Sequence, residues 1–332
     1  MKRNKNIPDI PSLIKSFLLE HLVNNQNASP NTVIAYKEVM RLLLIYLQDH
    51  HRVRPEKIQL KDLSVKNVLG FLDHLQKERK NSTSTRNTRL ATIRSFVNYL
   101  LLVNPTWSAD LRGILAIPLK KTNKTLLEYL TQDEMKALLE VPDSNTWIGQ
   151  RDRLLLLLLY NTGARASEIS TLKVEDVDLE SKSGKVRLFG KGRKERAVLL
   201  WKNTIKLLRQ WIEKNKYSGN MPLLASNRGT PLSRFVIANR LSVAVTKVPG
   251  LKKRKISPHT IRHTTAMHFL QSGIDITTIA MWLGHESVET TQLYVTADLE
   301  MKEKALKTLQ EPNVKRFRYK PSDSLLAFLE NL

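Results

Sequence analysis

The chain has 332 residues, 41% of them hydrophobic, which is enough for two domains with real cores and too apolar for wholesale disorder. Its formal net charge is +23 and its pI about 10.1; the excess is shared between residues 1–120 and the remainder, which suits an extended polyanion along the protein better than a basic tail does. Cysteine is absent, excluding disulfide frameworks and thiolate metal sites; the N-terminal MKRNKNIPDIP lacks the apolar run of a signal peptide, and the longest apolar run, Leu154 to Tyr160, is too short to span a membrane.

Residues 12–23, SLIKSFLLEHLV, carry apolar positions at helical spacing. Ser29-Pro30 opens a second helix with Val33, Tyr36, Val39, Met40, Leu43, Leu44 and Leu47 on one core stripe. Ser64 opens a third through Val68, Leu69, Leu72 and Leu75, and Ser84 a fourth. The first half of the fourth is polar and basic, with Arg86, Arg89 and Arg94; its second half is apolar. Thr85, Arg86, Asn87 and Arg89 are placed to enter a major groove while Ile93, Phe96, Val97 and Leu100 anchor the helix, although a solvated basic face explains the arginines equally well. Residues 105–130 read as a linker, because Pro105, Gly113 and Pro118 interrupt the periodicity and PLKKTNKT, with Lys120 and Lys121, is polar and basic.

Thr131 to Glu134 is a capping box that opens a second domain. RDRLLLLLLYNTGA is apolar nearly all round and predicts a central buried helix, ended by Gly163, that holds Arg165 rigidly just beyond it. Strand character follows at Val174–Leu179, Lys185–Phe189 and Arg196–Leu200, with turns at Ser183-Gly184 and residues 190–193, so Lys191 and Arg193 sit on a hairpin tip. GKGRK lacks the glycine spacing of a phosphate-binding loop and runs into a strand, which rules out ATP binding; a lysine-rich tip is ordinarily solubilising. Helices follow at about Asn203–Lys214 and Ser233–Val245. The loop LKKRKI, with Lys252, Lys253 and Arg254, faces either phosphate or solvent.

Residues 257–294, SPHTIRHTTAMHFLQSGIDITTIAMWLGHESVETTQLY, read as three short helices. Ser257 and Pro258 start the first, Gly273 ends it, Ile276 to Leu283 form the second before Gly284, and Ser287 caps a third with Glu289 in its first turn. His259 and Arg262 share one face of one turn; His285 lies on the turn and Tyr294 on the third helix. Arginine is a charged fork suited to phosphate oxygens, histidine moves protons near neutral pH, and a tyrosine hydroxyl can be a covalent nucleophile. Together they suggest attack on a phosphodiester. His259 and His263 also have metal spacing, but HExxH is absent, so zinc is the weaker reading; His263 and His268 read as packing residues, and Trp201 and Trp282 as core. Beyond Tyr294, a helix at Asp298 to Leu309, a basic connector and an amphipathic DSLLAFLENL complete the chain.

HTIRH, then LGH, then Tyr294 nine residues after His285, resembles the second conserved box of the tyrosine recombinases, the phage-integrase and Xer-type family. TGARASEI, with Arg165, Ser167 and Glu168, resembles that family's first box, and Lys191 in FGKGRKERAV its hairpin lysine. The resemblance covers about residues 125–300 by motif and the N-terminal part by helical pattern only. It implies a mainly α fold: a SAM-like, all-helical core-binding bundle (residues 1–110), a linker (111–125), an α-rich catalytic domain with a small three-stranded antiparallel sheet (126–310), and a tail (311–332) whose helix reaches a neighbouring protomer. Tyr294 would attack a backbone phosphorus and form a 3′-phosphotyrosyl link. Arg165 and Arg262 would hold the non-bridging oxygens, Lys191 would protonate the leaving 5′-oxygen, His259 would assist proton transfer at Tyr294, His285 would hydrogen-bond the phosphate, and Glu168 would orient Arg165. Arg86, Arg89, Lys120, Lys121, Arg193, Lys252, Lys253 and Arg254 would contact DNA. No metal or cofactor is implied. The partners would be double-stranded DNA with specific recombination sites and further protomers, as a tetramer on DNA or with related recombinases, in the bacterial cytoplasm and off the membrane. The role expected is integration or excision of a mobile element; Xer-type chromosome dimer resolution, a non-cleaving DNA-binding protein of the same fold and a type IB topoisomerase are the alternatives.

Overall fold

A computed structural model describes residues 9–122, 127–180, 183–190 and 194–285, together with Thr291 and Tyr294. Lys191, Arg193, the third helix start at Ser287 and Glu289, and everything after Tyr294, including the tail helix, lie outside the described residues. The chain divides into two compact units, Met1–Thr125 and Leu126–Leu332. Among the described residues no helix is long and apolar enough to cross a membrane.

The first unit is all-helical: α1 (Ile10–Ser16), continued by a π-helical stretch to Asn25, then α2 (Pro30–His51), α3 (Val65–Lys77), α4 (Thr83–Val103) and α5 (Ser108–Ala116). Asp9, Ser29, Ser64 and Ser82 cap α1 to α4, each accepting from the N–H three residues on. The fourth helix thus starts at Ser82 rather than Ser84. Both serines can cap, and Ser82 wins because its hydroxyl meets the Thr85 N–H at 3.2 Å. Ile93, Phe96, Val97 and Leu100 of α4 are buried, as the stripe predicts. The stretch read as linker contains α5, whose Leu111 and Ile114 are fully buried. Gly113 is no breaker there: a Cβ on it would meet Val65 Cγ2 at 2.7 Å, so its bare backbone lets α5 lie against the start of α3.

The second unit comprises α6 (Gln132–Glu140), α7 (Trp147–Thr162), α8 (Ala166–Thr171), a three-stranded antiparallel sheet in the order β1 (Val177–Asp178), β2 (Lys185–Phe189), β3 (Glu195–Leu199), then α9 (Lys202–Asn215), α10 (Arg234–Lys247), α11 (Pro258–Gln271) and α12 (Ile276–Leu283). Thr131 and Glu134 form the capping box of α6. Leu154 to Leu159 bury α7 at the centre. The first strand is shorter than its sequence implies, because Asp176 accepts from the Lys173 N–H and curls residues 174–176 into a 3₁₀ turn. In the β2–β3 hairpin Val186 pairs with Val198 and Leu188 with Arg196. Directly opposed residues share a face, so Arg196 lies on the same inner face as buried Leu188. Trp201, read as core, is 40% exposed and meets Tyr160 edge-on.

Candidate active site

The site is built from helix ends. Gly163 ends α7 and Gly284 ends α12, both in the left-handed conformation, at φ 60° and 65°. Each end leaves a carbonyl without a helical partner, and Arg262 of α11 takes both: Nη1 donates to Gly163 O at 2.7 Å and Nη2 to Leu283 O at 2.6 Å. Helix C-termini carry partial negative charge, so they favour a guanidinium there. Arg262 is only 1% exposed. Burial, then the charges of Arg165 and Arg196, bring its pKa down to about 10, which leaves it cationic at neutral pH.

Arg165 is the residue just before α8, and Glu168 in the first turn reaches back to it. The buried Glu168 carboxylate accepts from the Arg165 backbone N–H (2.8 Å) and Nη1 (2.9 Å), and from Arg196 Nη1 (2.9 Å) and Nη2 (2.8 Å). Burial pushes its pKa up, but the hydrogen bonds and charges of Arg196 and Arg165 outweigh that and hold it below the usual carboxylate range. Arg196 Nε also donates to Trp282 O at 3.0 Å, tying the hairpin to the end of α12. Two guanidiniums therefore hold one carboxylate and a third, Arg262, lies within their field, so the cluster keeps a net positive charge, as an anion site needs.

Tyr294 is 2% exposed and packs against Ala266, Met267, Leu270, Ile279 and Leu283. Its hydroxyl lies 3.0 Å from His263 Nδ1. Burial raises its pKa, opposed by Arg262 and Arg165. The His285 ring lies nearly parallel to Tyr294, with centroids 6.2 Å apart, and its Nδ1 is 2.7 Å from Thr291 Oγ1. His259 stands exposed one turn before His263, with ring centroids 4.1 Å apart. All three imidazoles are held below the usual histidine range, chiefly by loss of water around the rings. His259 is lowered further by Arg262 and Arg165; His263, at about 4, by His259 and Arg262; and His285, also at about 4, by Arg262 and Arg165. All three are neutral at pH 7.

The fold thus brings together Arg165, Glu168, His259, Arg262, His285 and Tyr294. It adds two residues that sequence reasoning missed. His263 touches the phenol instead of merely packing, and Arg196 shares the carboxylate. His268 does behave as a packing residue: its Nε2 faces the Leu130 carbonyl at 2.9 Å and so carries the proton, and its Nδ1 accepts from the Tyr160 hydroxyl at 2.7 Å. The grouping that could hold a metal among the described residues is His50, His74 and Glu78, with ligand atoms within 4.8 Å, and it belongs to the first unit. There His74 Nδ1 already pairs with Glu78 at 2.9 Å.

Of the basic residues assigned to DNA, Lys121, Lys252 and Lys253 are exposed, and so is Lys120, whose Nζ donates to Gln76 at 2.6 Å. Arg89 is half-buried. Two are spent inside the fold. Arg86 is 2% exposed and donates to Asn87. Arg254 donates to Glu128 (2.8 Å), Glu134 (2.9 Å) and the Tyr129 carbonyl (2.6 Å), clasping the start of the second unit to the loop before α11. The acids lie more than a hundred residues upstream, so nothing local in LKKRKI marks its arginine as paired.

The phage integrase family matches residues 128–301, and the N-terminal SAM-like domain of phage integrases matches residues 14–103. A Sinorhizobium fredii protein named an integrase/recombinase is 39% identical over 96% of this chain and 97% of its own length. A tyrosine recombinase XerC of Pelobacter propionicus is 32% identical, covering 86% of this chain and 91% of its own. The fold is similar to that of a XerH site-specific recombinase solved as a post-cleavage complex on its difH substrate, with a TM-score of 0.70 and 23% identity over 90% of this chain and 84% of that one. The arginine cluster, the buried phenol and both family matches lead to one conclusion: the chain belongs to the phage integrase family of tyrosine recombinases, enzymes that cut and rejoin DNA.

Proposed function

We propose that this chain is a site-specific recombinase that integrates or excises a mobile element through a 3′-phosphotyrosyl intermediate. The observation that carries the reading is a phenol hydroxyl within the field of two arginines, one of them gripped by two helix ends and the other by a buried carboxylate. Tyr294 attacks the scissile phosphorus. Arg165 and Arg262 hold the non-bridging oxygens and offset the charge that grows on them. His285 hydrogen-bonds the phosphate, and Glu168 with Arg196 fixes the direction of Arg165. His259 assists proton movement from the mouth of the site. Lys191, read from the sequence alone, protonates the 5′-oxygen. The bond energy stays in the ester, so a 5′-hydroxyl from another strand rejoins the DNA without ATP.

Its partners are double-stranded DNA carrying specific recombination sites and three further protomers, in the bacterial cytoplasm. Lys121, Lys252 and Lys253 are exposed and free to face phosphates, Lys120 is exposed but already donates to Gln76, and Lys191 and Arg193 are added from sequence. A mobile-element role is supported by the relative named integrase/recombinase, which matches at 39% over 96% of the chain. The match to XerC, at 32% over 86%, supports chromosome dimer resolution as the second reading.

The test is a nicked suicide duplex drawn from DNA recovered with the protein. The wild type should form a covalent adduct that Tyr294→Phe does not form. Wild-type binding without any adduct would leave a non-cleaving DNA-binding protein.

A further inference from the structure

We propose that His263 is the base that takes the proton of Tyr294 as the phenol attacks and returns it when the strand is rejoined. This rests on Tyr294 being the nucleophile, as argued above, and moves the proton transfer from His259 to the next turn of α11.

Three observations point to it. His263 Nδ1 is the imidazole nitrogen in contact with the hydroxyl, at 3.0 Å. His285 Nδ1 is committed to Thr291 Oγ1 at 2.7 Å, and His259 meets the ring of His263 rather than the phenol. Finally, His263 stands on a helix tied to its surroundings by the two residues that follow it. Its neighbours Thr264 and Thr265 are buried, Thr264 Oγ1 accepts from the Leu130 N–H at 3.0 Å, and Thr265 Oγ1 donates to the Tyr160 carbonyl at 2.7 Å. A base must sit within hydrogen-bond reach of the proton it removes and be held there.

The step balances. A lone pair of the Tyr294 oxygen forms the O–P bond, and the P–O5′ bond breaks with its electron pair on the 5′-oxygen. That oxygen takes a proton from Lys191, and the phenol proton passes to His263 Nδ1. Rejoining runs the same path backwards. The groups facing His263 are Tyr294, His259, Arg262 and His285. In the free protein loss of water around the ring, and then the charges of His259 and Arg262, bring its pKa down to about 4, so Nδ1 holds a lone pair at neutral pH. That would be a weak base against a buried phenol. The arriving phosphodiester changes both sides of the transfer. Its negative charge offsets Arg262, one cause of the low pKa, and the phenol grows more acidic as its oxygen bonds to phosphorus. The base therefore strengthens when substrate is present.

Single-turnover adduct formation on the suicide duplex, followed from pH 6 to 9.5, tests the assignment. The wild type should be nearly flat with pH. His263→Ala should be slower by about 10²–10⁴-fold at pH 7, should rise steeply with pH as hydroxide substitutes, and should be partly restored by added imidazole. His263→Gln keeps a hydrogen-bond acceptor without the basicity and should be as slow as the alanine variant. Melting curves and duplex binding establish that both variants fold. If His263→Ala cleaves as fast as the wild type or faster, the contact is packing or a latch. If His263→Gln restores the rate, only the hydrogen bond matters. If His259→Ala acquires the steep pH dependence instead, the base is His259. Each of these overturns the proposal. A wild type that forms no adduct at all defeats the underlying reading of Tyr294 and is seen before any variant is made.

Discussion

Glu168 receives four donors on two oxygens, two from Arg165 and two from Arg196. Removing a buried carboxylate leaves its guanidiniums facing one another and Arg262, whose charge they already oppose. Glu168→Ala should therefore destabilise the second unit by about 3–5 kcal/mol. Arg196→Lys cannot keep the two-pronged pairing and should cost less, about 1–2 kcal/mol. Urea unfolding reads both, and equal midpoints for Glu168→Ala and wild type would contradict the carboxylate's central place. Arg165 and Glu168 were legible in the sequence, because an acid three residues after a helix start is a cap and the box around them has a family likeness. Arg196 was not. A strand arginine is taken as solvent-facing until the register is known, and the pairing of Leu188 with Arg196 turns it inward. His263 was visible one turn after His259, but its partner lies 31 residues away and only the tertiary fold joins them.

The glycines of the two motifs have a purpose at the level of elements. Gly163 and Gly284 stop α7 and α12 so that one carbonyl from each end reaches Arg262. A Cβ at Gly163 would also lie 2.4 Å from Leu283 Cδ2. Gly163→Ala thus combines left-handed strain with a clash against a packed leucine and should cost about 2–4 kcal/mol. It should also loosen Arg262, lowering adduct formation more than duplex binding. Comparing the two in one preparation checks this, and a parallel fall in both would speak for general unfolding. Helix starts and stops of this kind were readable from caps and glycines. The α5 helix was not, because Gly113 signals a break locally and becomes a packing contact only beside Val65. The hairpin strands were legible by alternation, whereas the 3₁₀ turn at 174–176 depends on one side-chain bond that alternation does not reveal.

Across the whole second unit, the histidines couple stability to acidity. His263 and His285 have folded pKa values of about 4, well below the ordinary 6.5, and burial also lowers His259 and His268. Between pH 6.5 and 4 the unfolded chain binds more protons than the folded one, so stability is complete above 6.5 and falls with pH towards 4. Allowing for solvent at the ring edges, His263 and His285 should each contribute a loss of about 2–3 kcal/mol over that window. Glu168, held below its usual value, adds a second loss in the same direction below the carboxylate range. Trp147, Trp201, Trp211 and Trp282 all lie in the second unit and only Trp107 in the first, so tryptophan fluorescence during urea unfolding reports mainly on the second. Its midpoint should drop steadily between pH 6.5 and 4.5, and His285→Asn should flatten that drop while lowering the plateau at pH 7.5. A midpoint unchanged from pH 7.5 to 5 would mean that water reaches these rings freely, and the electropositive pocket built around Arg262 would then be too open to strengthen its contacts with phosphate by excluding solvent.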